Sequence, residues 1–102
     1  MNLLIDTTDR KNTNIRIMEG ESLLIEEKFK NSANPESVLS LIKKGLEKLQ
    51  LNLSDITNIY VNPGPGSFTG VRVGIAVANA LSLALQVPVN DKNVSDLEMP
   101  KY

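Results

Sequence analysis

The chain contains neither cysteine nor histidine among its 102 residues. Without cysteine it can form no disulfide bond and has no thiolate nucleophile. Without histidine it has no imidazole to act as a general base or to bind zinc. These two absences exclude most zinc sites, and the Ser-His and Cys-His catalytic pairs, within this chain.

An excess of charge of one sign is also lacking. The chain has 11 lysine and arginine residues against 12 aspartate and glutamate residues, and its formal net charge is -1. No run of basic residues is longer than a pair, whereas nucleic-acid surfaces are typically built from clustered lysine and arginine. We therefore expect no strong, direct binding of nucleic acid by this chain.

The hydrophobic segments are too short to cross a membrane. The most apolar one, 71–85, contains Asn79 and Ser82, and a helix needs about 20 residues to span a bilayer. The N-terminus reaches Asp6 without a basic region, which is not typical of a signal peptide. We therefore expect a cytoplasmic protein that does not contact membranes, and at this length we expect one domain.

The pattern of apolar residues predicts an α/β fold. Strands are predicted at 3–5, 13–18, 22–30, 58–61 and 87–89. A first helix is predicted at 35–49, capped by Asn34, and a second helix after the glycine-rich loop that follows residue 61, ending at about residue 85. The order βββαβαβ is a meander followed by two crossover units, which is the ribonuclease-H-like arrangement. We therefore expect one domain, 1–90, with a mixed five-stranded sheet. Residues 91–102 are predicted to be a tail or a truncated third helix, with Ser95 as its cap.

The segment 62–74 is the most specific feature of the sequence. It reads Asn-Pro-Gly-Pro-Gly-Ser-Phe-Thr-Gly-Val-Arg-Val-Gly and joins a predicted strand to a predicted helix. Backbone N–H groups and the helix dipole at such a junction suit an anion. It is not a Walker phosphate loop, because no Lys-Ser/Thr pair follows the glycines. A rigid loop that sets the start of the helix explains the same residues.

The second predicted helix is apolar over most of its circumference. A helix that packs only on its own sheet needs about a third of its surface apolar. A stripe of small residues, Gly70, Gly74 and Ala78, also lies along it. An exposed apolar surplus predicts an interface, unless the first helix and the tail cover it. The predicted interface residues of the two helices are Val38, Leu41, Ile42, Gly74, Val77, Ala78 and Leu81.

The segment 64–74 closely resembles the signature of the TsaB (YeaZ) family, Gly-Pro-Gly-Ser-Phe-Thr-Gly followed by Leu or Val, Arg, Ile or Val, and Gly. The opening Leu-Leu-Ile-Asp-Thr at 3–7 and the closing Val-Ser-Asp-Leu-Glu at 94–98 add to the resemblance. The resemblance implies an actin-like (ASKHA) fold and a non-catalytic scaffold subunit in the synthesis of threonylcarbamoyladenosine on tRNA. It further implies pairing with the catalytic subunit TsaD through the two helices, with the ATPase TsaE as a third partner.

The resemblance also implies which contacts are expected. We expect no metal and no cofactor, apart from ATP or ADP at a partner interface, and contact with tRNA only through the complex. Without its partner, the chain is expected to form a homodimer through the same helices. The family is usually about twice as long, so this chain corresponds to its N-terminal domain. It also often has a histidine where Asn34 stands here.

The alternative function is a nucleotide-binding, kinase-like module. In actin-like ATPases and sugar kinases, an acid corresponding to Asp6 lies near the metal-nucleotide, and the hydroxyls that follow it approach phosphate. A peptidase is the last alternative, because without histidine the metal-binding histidine pair of that wider family cannot exist here. The candidate contacts of an anion or nucleotide are Asp6, Thr7, Gly64, Gly66, Ser67, Thr69, Gly70 and Arg72.

Overall fold

The computed structural model describes residues 1–30, 33–94 and 96–101. The strands are β1 (Asn2–Asp9), β2 (Asn12–Glu19), β3 (Ser22–Phe29) and β4 (Asn58–Val61), and the helices are α1 (Pro35–Lys48) and α2 (Phe68–Leu85). A short 3₁₀ turn, Leu53–Asp55, precedes β4. The predicted α/β fold is confirmed. Along the chain, the three-stranded meander is followed by α1, β4 and α2.

The four strands form one mixed sheet in the order β3-β2-β1-β4. The meander β1-β2-β3 is antiparallel, and β4 runs parallel to β1. Both helices pack on the face that carries the buried alternate residues, because Gly45 of α1 contacts Ile15 and Ile17 and Gly74 of α2 contacts Thr7. The opposite face has no helix on it within the described part of the chain.

The predicted fifth strand at 87–89 is not present among the described residues, and the sheet has four strands. Val89 makes only an isolated parallel bridge to Ile59. The pairing stops there because Asn90 and Asp91 adopt left-handed backbone conformations, with φ of 50° and 62°. These two residues turn the chain away from β4 before a ladder can form.

The helix starts follow from local side-chain chemistry. Asn34 caps α1 by accepting a hydrogen bond from the Ser37 N–H, and Pro35 is in the first turn, as predicted. The helical alternative for the tail is wrong for residues 96–101, which form no helix. The predicted cap, Ser95, lies outside the described residues, and the division at residue 90 stays a prediction.

The helix α2 is long and apolar enough to cross a membrane by length and composition alone. It nevertheless contacts β1 and β4 along its length. Gly70, Val71, Ile75 and Ala78 on its sheet-facing side are buried. This side of α2 therefore packs in the core, and 44% of the helix is buried in all.

An ionic contact joins the edge strand β3 to α1. The carboxylate of Glu27 is buried, with 7% of the residue exposed. It lies 2.7 Å from the Lys48 Nζ and 3.7 Å from the Lys44 Nζ. The hydrogen bond from Lys48 lowers the pKa of Glu27 below its usual value, and the burial of the carboxylate opposes this only in part.

We predict that Glu27→Gln lowers the free energy of unfolding at pH 7 by roughly 1 kcal/mol, because both lysines are about half exposed to solvent and the ion pair is screened. Since the pKa of Glu27 is lowered in the fold, the charged carboxylate stabilises the protein above its ordinary pKa of 4.5. That stability is lost as the pH falls through the lowered pKa. Urea denaturation across this pH range measures the difference.

The matched control is Glu19→Gln, at an exposed position at the end of β2. It should change the stability little at any pH. A stability difference between Glu27→Gln and the native chain that stays constant down to pH 2 would show that the charge of Glu27 is not what stabilises the contact.

Candidate functional site

Asp6 lies in β1, next to the loop that follows β4. Its carboxylate accepts hydrogen bonds from the Thr8 N–H at 2.9 Å, the Thr8 hydroxyl at 2.7 Å and the Asn62 side-chain amide at 3.3 Å. Burial would raise the pKa of Asp6, but the hydrogen bonds from Thr8 and Asn62 and the charge of Arg16 outweigh it and lower that pKa. Asp6 is therefore a charged carboxylate that links the loop to β1.

The glycines of the signature loop lie against the backbone of this same chain. A side chain at Gly66 would come within 2.6 Å of the Thr8 Cβ, and one at Gly70 would collide with the Thr7 carbonyl. Gly64 has a φ of 109° and lies against the Lys101 carbonyl. A rigid loop that sets the start of α2 therefore explains the glycine at all three positions.

Two of the candidate hydroxyls are engaged within the fold. Thr7 is fully buried, and its hydroxyl donates to the Gly70 carbonyl at 2.5 Å. The Ser67 hydroxyl accepts from the Gly70 N–H at 3.3 Å and caps α2. Both hydroxyls thus stabilise the junction between β1 and α2.

The remaining candidates lie at the exposed start of α2. The Arg72 guanidinium stacks over the Phe68 ring, 5.2 Å from its centroid. Beside them is a small cavity of about 160 Å³, lined by Arg10, Ala33, Ser67, Thr69 and Gly70. Sequence reasoning missed Arg10, which the turn between β1 and β2 brings to the start of α2. An anion in this cavity would meet one cation and two hydroxyls, and that role stays a prediction.

The described part of the chain holds no group of three acidic side chains that could bind a metal ion.

The predicted interface residues are mostly core residues. Val38, Ile42 and Ala78 are essentially inaccessible to solvent, and Leu41 is also buried. Gly74 faces Thr7 in β1 rather than solvent. Val38, Leu41, Gly74 and Ala78 are therefore packed within the fold rather than on an exposed surface, whereas Ile42, although itself buried, lines an apolar groove on α1. The stripe of small residues lets α2 approach its own sheet.

A different apolar surface is exposed between the two helices, and we call it the helix groove. It has a volume of about 340 Å³ and is lined by Pro35, Leu39, Ala76, Val77, Ala80, Leu81 and Ala84. Leu39 is 45% exposed, and the nearby Leu83 is 50% exposed. Of the predicted interface residues, Val77 and Leu81 do line this groove, although they are largely buried.

Sequence reasoning missed the exposed row Ala76, Ala80 and Ala84, which lies on the outer side of α2. The row has the same i, i+4, i+8 spacing as Gly70, Gly74 and Ala78. The sequence therefore contains two stripes of small residues on this helix, and no feature of the sequence indicates which stripe faces the sheet.

A second apolar groove lies on the other side of Leu39. It has a volume of about 390 Å³ and is lined by Leu39, Ile42, Lys43, Leu46, Glu47, Leu51, Asn52 and Leu53. Because Leu39 lines both grooves, the exposed apolar surface continues across α1.

We predict that Gly74→Ala lowers the free energy of unfolding by about 1–3 kcal/mol, the usual cost of overpacking a core. The new methyl group would collide with the buried Thr7 hydroxyl. Ala76→Leu, two residues away on the exposed side of α2, should change the stability by less than about 0.5 kcal/mol. Urea denaturation of both variants tests the orientation of α2, which would be wrong if Gly74→Ala were as stable as the native chain.

The chain matches known proteins in one family. The family model described as "TsaD: tRNA N6-adenosine threonylcarbamoyltransferase" matches residues 31–99. The tRNA threonylcarbamoyladenosine biosynthesis protein TsaB of Buchnera aphidicola subsp. Schizaphis graminum is 40% identical over 52 residues, which are 51% of this chain and 25% of that protein. The TsaB protein of Haemophilus influenzae is 31% identical over 87 residues, which are 85% of this chain and 36% of that protein.

The solved structures agree with the sequence relatives. YeaZ from Pseudomonas aeruginosa matches with a TM-score of 0.78 and 27% sequence identity, over 86% of this chain and 42% of that one. The chain therefore spans less than half the length of these relatives. On the extent of the family match and the agreement of fold and sequence, the chain belongs to the family of the TsaD model and, within it, to the TsaB (YeaZ) proteins.

Proposed function

We propose that this chain is a non-catalytic partner subunit in the biosynthesis of threonylcarbamoyladenosine in tRNA. In this proposal it binds a TsaD-type subunit through the helix groove. The observation that carries the proposal is the exposed row of alanines on α2, beside the exposed Leu39 of α1. The names of the TsaB relatives supply the pathway.

The shape of the helix groove fits a helix of another protein. Packed helices have axes 8–10 Å apart, and small side chains at the contact allow the shorter distances. The row Ala76, Ala80 and Ala84 provides such a contact along two turns of α2, and Leu39 and Leu81 provide apolar walls. A stable interface buries about 800 Å² per partner, which the continuous surface across α1 can help to supply.

The same surface explains self-association of the isolated chain. A groove between two helices can meet its own copy across a two-fold axis, since an isologous contact needs one self-complementary surface. We therefore propose that the pure chain forms a homodimer that a TsaD-type subunit replaces.

Absence of catalysis is part of the proposal. The groups that a kinase-like mechanism would use are engaged locally, because Asp6 binds Thr8 and Asn62 and Thr7 binds Gly70. We propose that the chain needs no cofactor of its own and that ATP or ADP binds only at a partner interface. The proposal places the chain in the cytoplasm, where TsaE and tRNA meet it through the complex.

We predict that Ala80→Arg weakens binding to the TsaD-type subunit of the same cell at least tenfold, or by about 1.4 kcal/mol. The long charged side chain would fill the helix groove and bring an unpaired charge into an apolar interface. Sedimentation of the pure variant at tens of micromolar should also show a monomer. The affinity is measured by calorimetry with the purified partner.

Ser40→Arg is the matched control, because it adds the same side chain at an exposed position of α1 that lines neither groove. It should bind the partner as the native chain does. Equal binding by both variants would place the interface elsewhere on the chain.

We also predict that the purified chain hydrolyses ATP no faster than buffer, and that Asp6→Ala leaves this rate unchanged. Phosphate release over several hours at neutral pH measures both. Turnover by the native chain that Asp6→Ala abolishes would instead support the nucleotide-binding module.

A further inference from the structure

Residues 96–101 are attached to the fold chiefly through one buried acid, Glu98, and we call this segment the tail clamp. Glu98 is only 4% exposed. Its backbone makes two hydrogen bonds to the side chain of Asn79 on α2, each 3.0 Å long: the Glu98 N–H donates to Oδ1 and the Asn79 Nδ2 donates to the Glu98 carbonyl. The side-chain amide of Asn79 therefore pairs with the clamp as a neighbouring strand would.

The carboxylate of Glu98 is fully engaged. Its Oε1 accepts hydrogen bonds from the Lys92 Nζ and the Met99 N–H, both at 2.9 Å, and its Oε2 accepts from the Asn90 Nδ2 at 2.7 Å. Burial alone would raise the pKa of Glu98, but these three hydrogen bonds lower it to about 2. The carboxylate is therefore charged at neutral pH, and it holds Asn90 in one orientation.

Asn90 covers the outer edge of β4. Its Oδ1 accepts from the Val61 N–H at 2.8 Å, and its Nδ2 donates to the Val61 carbonyl at 2.9 Å. Two residues earlier along this edge, the backbone of the chain makes the pairing itself, since the Ile59 N–H donates to the Pro88 carbonyl at 3.0 Å. The side chain of Asn90 thus takes the place of the next residue of a fifth strand.

The end of the tail clamp reaches the signature loop. The Lys101 N–H donates to the Pro63 carbonyl at 2.7 Å, and the Lys101 carbonyl lies against Gly64. Along the edge of β4, the partners are therefore backbone at Ile59, a side chain at Val61 and the clamp at Pro63.

We propose that the tail clamp covers the β4 edge and holds the signature loop, and that it can detach as a unit. Glu98 is a positioning residue that acts through Asn90. Detachment of the tail clamp leaves the sheet and both helices folded. It frees the Val61 backbone groups, which an extended segment of another chain could then pair with.

The test is amide hydrogen exchange, followed by NMR on the whole chain carrying Glu98→Gln. Glutamine keeps an oxygen for Lys92 and Met99 but turns an N–H donor toward the Asn90 Nδ2, so the link to Asn90 is broken. Exchange of the Val61 and Lys101 amides should rise by about tenfold or more, as for a local opening. The exchange rates of Ile59 and of the β2 amides should stay within about twofold of the native values, because the tail clamp does not protect these amides.

Asp96→Asn removes the same charge from the same segment at an exposed position and should leave all of these rates unchanged. Asn79→Ala removes the other anchor of Glu98 and should speed up exchange at Lys101, which provides the test if Glu98→Gln does not fold. A uniform rise that includes Ile59 and β2 would overturn the proposal, because Glu98 would then stabilise the whole fold. Unchanged exchange at Val61 in Glu98→Gln, or at Lys101 in Asn79→Ala, would overturn it as well.

Discussion

The close contact between α2 and β1 is the constraint on which the rest of the structure depends. Gly70 and Gly74 lie one helical turn apart, and both are packed against Thr7. A side chain at either position would collide with β1, so the helix can approach the sheet closely only with its glycines inward. This contact fixes the rotation of α2 about its own axis, and it turns the opposite row, Ala76, Ala80 and Ala84, toward solvent.

The signature loop has its geometry for the same reason. Because α2 begins beside β1, the chain leaving β4 must turn back within a few residues and pass close to Thr8. Gly66 allows that approach, and the Ser67 N–H donates to the Thr8 carbonyl at 2.8 Å. The motif that suggested an anion site in the sequence is thus explained by packing and hydrogen bonds within the chain. Thr69 and Arg72 of the motif remain exposed at the start of α2.

Most of the fold could be predicted from the sequence, because local signals determine it. The turns at 9–12 and 19–21, the Asn34 cap and the 3.6-residue period of α1 each act over a few residues. The fifth strand could not be predicted in the same way. Its apolar residues, Val87 and Val89, are buried as in a strand, but the left-handed turn at Asn90 ends the pairing after one bridge.

The exposed apolar surface of the two helices could be predicted only in part, and the helices show why. In α1, one stripe is apolar and the other side is charged, so burial follows from the period. In α2, apolar residues lie almost all around the helix, and the period no longer says which side faces the sheet. The close contact between Gly74 and Thr7 of β1 determines which side of α2 faces the sheet. Because these residues are far apart in the chain, no local sequence pattern predicts the contact.

The two faces of the sheet differ in what they leave exposed, and this supports a partner on the helix side. On the face without a helix, some polar side chains pair with each other: Arg16 lies 2.6 Å from Glu26, and Asn14 donates to Glu26 at 3.0 Å. Water can solvate such a network at little cost. On the helix side, Leu39 and the alanine row expose apolar surface that water solvates poorly. Association through the layer that α1 and α2 form would therefore gain hydrophobic free energy.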